Sequence, residues 1–95
     1  MEIAKETLEK ITELAKLLYT QKEIAIITEI DLKIFKTSMY DETSQIYKAY
    51  MSGILQSQLE IRKAIIKSAE RGSTQAQKMY LELQSTMEQK NTNFK

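Results

Sequence analysis

The chain has 95 residues, which by length is one small domain with a thin core, since a chain this short buries only roughly 60–65% of its unfolded surface. It has no Cys and no metal-ligand motif, so neither a disulfide nor a zinc site is expected to brace it, and oligomerisation is the remaining common route to stability. Fourteen basic and thirteen acidic residues give a formal charge of +1, which is not the strongly basic balance of a stand-alone nucleic-acid binder.

Other classes are excluded as directly. With no His and no Cys, the usual general base and the thiol nucleophile are missing, and the acids are scattered at solvent-face spacing. No enzyme activity and no cofactor are expected. The stretch from Met1 to Tyr19 alternates charged and apolar residues and has no apolar core of a signal peptide. The longest apolar run, residues 24–27, is far too short to span a bilayer. A soluble, cytoplasmic protein without a membrane partner is the expectation.

Two Gly and no Pro point to an all-α fold, and five helical segments follow in chain order. The first is expected from about Ile3 to Leu18, with Leu8, Ile11, Leu14, Ala15 and Leu18 at helical spacing. Glu6 and Lys10 form a favourable i,i+4 pair on its other face.

The second helix starts at Thr20. Thr20-Gln21-Lys22-Glu23 is a capping box, with Tyr19 and Ile24 as its hydrophobic staple, and the helix ends near Ile27 or Thr28. Asp31 is a good N-cap for a third helix running through Phe35 to about Met39. Two short helices joined by a three-residue turn are the arrangement of a helix-turn-helix. Ala25 supplies the small residue at the crossing, and Ile24, Ile27, Ile30 and Phe35 the apolar lock. Glu29 stands where Gly is usual in that turn, at a modest cost if the backbone is left-handed. Thr28 stands where a large apolar residue is usual, and Ile34 where a small polar one is.

Residues 40–44 read as a polar connector. A long fourth helix runs from about Ser44 to Arg71 and stops at Gly72, which suits the left-handed position after a helix end. Thr74-Gln75-Ala76-Gln77 repeats the capping-box pattern and opens a fifth helix reaching about Gln89. The expected organisation is a helix-turn-helix domain at 1–40, a long-helix antiparallel hairpin at 41–90 and a frayed tail at 91–95.

The run Thr20-Gln21-Lys22-Glu23-Ile24-Ala25 with Ile30-Asp31 carries a resemblance that the second half extends. Ile46-Tyr47-Lys48-Ala49-Tyr50-Met51-Ser52-Gly53 is followed by Leu59-Glu60-Ile61-Arg62-Lys63, then by Ala69-Glu70-Arg71-Gly72-Ser73-Thr74-Gln75-Ala76. Over about residues 7–85 this order resembles the small terminase subunits of tailed phages and prophages. The resemblance implies recognition of double-stranded DNA at packaging initiation, assembly into a ring through the central helices, and a large terminase subunit as partner.

Lys33, Lys36 and Thr37 are the candidate DNA-facing residues of the second short helix, with Lys22 near a phosphate. The same lysines suit a solvated helix face. No Arg precedes Arg62, so the bidentate guanine contact is missing here and phosphate contacts are expected to dominate. Residues 1–40 carry net −1 and residues 41–95 net +2.

The long helix carries two apolar stripes, one through Tyr47, Tyr50, Ile54, Ile61 and Ile65 and one through Ile46, Leu55, Leu59, Ile66 and Ala69. Together they exceed the face that one partner helix covers. Tyr47, Ile54, Ile61 and Ile65 are therefore the candidate homo-oligomer interface. Two alternatives stay open: a dimeric helix-turn-helix transcriptional regulator, and a structural helical interaction protein that does not bind DNA.

Overall fold

The structure, a computed structural model, describes residues 3–93. It is all-α, with helices α1 (Lys5–Lys16), α2 (Gln21–Thr28), α3 (Leu32–Ser38), α4 (Gln45–Glu70) and α5 (Thr74–Asn93), and no strand among the described residues. The chain divides into two compact units, Met1–Gln58 and Leu59–Lys95. The division falls inside α4 rather than at the connector around residue 40, because the first half of α4 completes the core of the first unit.

That core is built from Ile11, Leu14 and Ala15 of α1, Ile24 and Ala25 of α2, Phe35 of α3 and Ile46 of α4, all buried. Ile30, Leu32, Met39, Ala49, Tyr50 and Ile54 pack around them. Phe35 is completely enclosed, and burial of a side chain this size contributes about 2–3 kcal/mol. Tyr50 meets its ring edge-on, with centroids 6.2 Å apart and planes at 89°. Such an aromatic pair adds about 1 kcal/mol beyond its buried area.

Local signals set the ends of α2 and α3. Thr20 Oγ1 accepts from the Glu23 amide at 3.1 Å, while the Thr20 amide donates to Glu23 Oε1 at 2.9 Å. This is the expected capping box. Asp31 Oδ1 accepts from the amides of Lys33 and Ile34 at 2.8 and 3.3 Å, capping α3. Ser44 does the same for α4, accepting from the amides of Ile46 and Tyr47 at 3.2 and 3.3 Å.

Three helices end in one hydrogen-bond pattern. At the end of α1, Tyr19 N donates to Leu14 O and Leu18 N to Ala15 O. After α2, Ile30 N donates to Ala25 O and Glu29 N to Ile26 O; after α4, Ser73 N donates to Ser68 O and Gly72 N to Ala69 O. Each is a Schellman closure, which requires a left-handed residue. Gly72 fills that position at φ 99°, but Leu18 (φ 68°) and Glu29 (φ 57°) fill it without being glycine.

The structure corrects several expectations. Leu18 is not on the buried stripe of α1: the helix stops at Lys16, and Leu18 is turned outward with 63% of its surface exposed. Ile27 is no part of the apolar lock, because Ile24, Ala25 and the half-buried Thr28 set the inward arc of α2 and Ile27 falls outside it. Lys10 lies 3.5 Å from Glu13, one turn onward, as an exposed i,i+3 pair. The cap of α5 is Ser73, whose Oγ accepts from Ala76 N at 3.1 Å, and Thr74 is already helical.

In the second unit α5 runs past the expected end at Gln89 to Asn93, with Thr92 Oγ1 donating to Glu88 O at 2.9 Å. Residues 91–93 of the expected frayed tail are thus helical; 94 and 95 lie outside the described residues. Across the turn, Gln77 Nε2 donates to Ala69 O at 3.1 Å. The unit has almost no interior. Ala76 is its one buried residue among those described.

Candidate nucleic-acid interface

The candidate DNA-facing residues sit on the two short helices of the first unit. Lys22 lies in the first turn of α2, Lys33 in the first turn of α3, and Lys36 and Thr37 in its last turn. All four are exposed, while Ile24, Ala25 and Phe35 on the opposite faces are buried. None of the three lysines enters an ion pair among the described residues. Their charges are therefore available to an external anion.

The electrostatics of the segment are mixed. Residues 20–39 hold Lys22, Lys33 and Lys36 against Glu23, Glu29 and Asp31. The Asp31 carboxylate takes two of the first amides of α3, so those donors are spent on the cap and its negative charge stands where a phosphate would approach. Glu23 is likewise engaged by its own capping box. A single copy of the segment offers three separated ammonium groups, no guanidinium and no net charge.

The connector after α3 is ordered by its own side chains. Asp41 Oδ1 accepts from Thr43 Oγ1 at 2.6 Å and from the Thr43 amide at 3.0 Å. Those two bonds, with a smaller attraction from Lys48, hold the Asp41 carboxyl below its ordinary value of 3.8. Among the described residues no group of three or more acidic or thiol side chains stands close enough to hold a metal ion. No helix among them is long and apolar enough to cross a membrane.

The four residues of the candidate interface are divided between the units. Tyr47 and Ile54 belong to the first; both are half-buried, and Ile54 packs against that unit's core. Ile61 and Ile65 belong to the second, where Ile61 is half exposed.

Around Ile61 and Ile65 the second unit exposes more apolar surface than the stripes alone indicate. Two grooves between α4 and α5 carry part of it. One, of about 260 Å³, is lined by Arg62, Ile66, Tyr80, Leu83, Gln84 and Met87. The other, of about 320 Å³, includes Ile61, Ile65, Ala76 and Met79. Leu59, Ile66, Tyr80 and Met87 are each 42–52% exposed. Met87 was not singled out from the sequence, although Ala76, Tyr80, Leu83 and Met87 recur at steps of four, three and four, the spacing of a helix-packing seam.

Comparison with known proteins adds no relative: the chain matches no family model, no curated protein and no solved structure.

Proposed function

We propose that the chain is a small-terminase-like DNA-packaging module of a phage or prophage, an intracellular protein that binds double-stranded DNA through residues 20–39 and self-associates through the second unit. The single observation carrying the DNA half is the arrangement of α2 and α3. Their inner faces are locked by Ile24, Ala25 and Phe35, and Lys22, Lys33, Lys36 and Thr37 stand exposed on the outside. In this reading α2, the turn at Glu29 and α3 are a helix-turn-helix, and α3 enters the major groove.

Lysines without arginine favour phosphate contacts over base reading, so binding is weakly sequence-specific and steeply salt-dependent. A nearly neutral subunit gains useful affinity only when several copies present their lysines together. Self-association therefore belongs to the same function. It is supported by the second unit, which has one buried residue among those described and apolar grooves between α4 and α5. Helical units of that size rarely stand alone without a disulfide, a metal or a partner. A head-to-tail ring, in which one groove of each copy faces the other groove of the next, would cover both. The large terminase subunit enters as partner by the sequence resemblance.

The balanced charge of residues 20–39 and the Asp31 cap favour a second reading, a structural interaction protein that no longer touches DNA. Fluorescence anisotropy with a mixed-sequence duplex, from low to physiological salt, separates the two. Binding that weakens steeply with salt supports the first, and no binding at low salt overturns its DNA half. Light scattering at tens of micromolar tests assembly, and a monomer at that concentration overturns the self-association half.

A further inference from the structure

We draw no further inference here: the strongest candidate, the half-exposed apolar groove of Ile66, Tyr80, Leu83 and Met87 between α4 and α5, belongs to the self-association surface already described, and nothing in the structure shows what else covers it.

Discussion

Gly53 of α4 lies so close to Ala15 of α1 that a Cβ built on the glycine would stand 2.7 Å from the alanine Cβ. It would also stand 2.9 Å from Lys16 N and collide with the carbonyl oxygen of Thr12. Two of those three neighbours are backbone and cannot rotate aside. The crossing is tied further by Thr12 Oγ1, which donates to Ala49 O at 2.9 Å.

The expected result of Gly53→Ala is therefore destabilisation, against the sign of helix propensity. Alanine favours a helix over glycine by about 1 kcal/mol. Forcing a methyl into a closed contact costs about 1–3 kcal/mol and displaces α4 from α1. Urea denaturation should give a lower midpoint for the variant, and a raised midpoint would mean that the helices separate at little cost.

What was legible in the sequence was local. The Thr20 box and the Asp31 cap depend on residues within three positions of each other, and both stand as read. Gly53 depends on a contact with residues about forty positions away, and in the sequence it is only a poor helix former. Ile27 is apolar at a plausible step, but an eight-residue helix against a small core has room for a narrow inward arc. Ser73 and Thr74 both fit the role of an N-cap, and the closing turn at Gly72 decides for the first. For the candidate DNA face the lysines were legible. That Asp31 spends the first amides of α3 follows from the cap, yet its consequence for an incoming phosphate needs the geometry.

Glu29 and Leu18 hold left-handed backbone at the ends of α2 and α1. A side chain in that region costs about 1–2 kcal/mol, and glycine removes the clash while adding unfolded-state entropy. Both residues are exposed, so little packing is lost with the side chain. Glu29→Gly and Leu18→Gly should each raise thermal stability by about 0.5–1 kcal/mol. Thr28→Gly, one position earlier and inside α2, should instead lower it by about 1 kcal/mol, because the half-buried side chain and its hydroxyl bond to Ile24 O are lost along with helix propensity.

Asp41 gives a pH dependence of known sign. Its folded carboxyl is held below the ordinary value of 3.8, first by the Thr43 hydroxyl and then by the Thr43 amide. A depressed carboxyl contributes stability that is fully present above its unfolded value and is lost as the pH falls through its folded value. The contribution should thus vanish on the acid side of pH 3.8 and be constant at neutral pH. NMR titration should find the Asp41 midpoint below 3.8, and Thr43→Val should move it back toward that value by removing the hydroxyl donor. An unchanged midpoint in Thr43→Val would mean that the hydroxyl bond is not what lowers it.

Lys33 and Lys36 decide whether α3 touches DNA at all. Both are exposed and neither is ion-paired among the described residues, so neutralising them should leave the fold intact. Each lysine that neutralises a phosphate contributes about 0.9 to the slope of log affinity against log salt. For the double variant Lys33→Gln and Lys36→Gln the slope per subunit should therefore fall by about 2, with a uniform loss of affinity across duplex sequences. The double variant Lys63→Gln and Lys67→Gln is the matched control, because both lysines are exposed in the other unit and the charge change is the same. If the α3 variant and the control share the wild-type slope, the lysines of α3 are a solvated face. The charge balance of residues 20–39 then speaks for assembly without DNA as this chain's function.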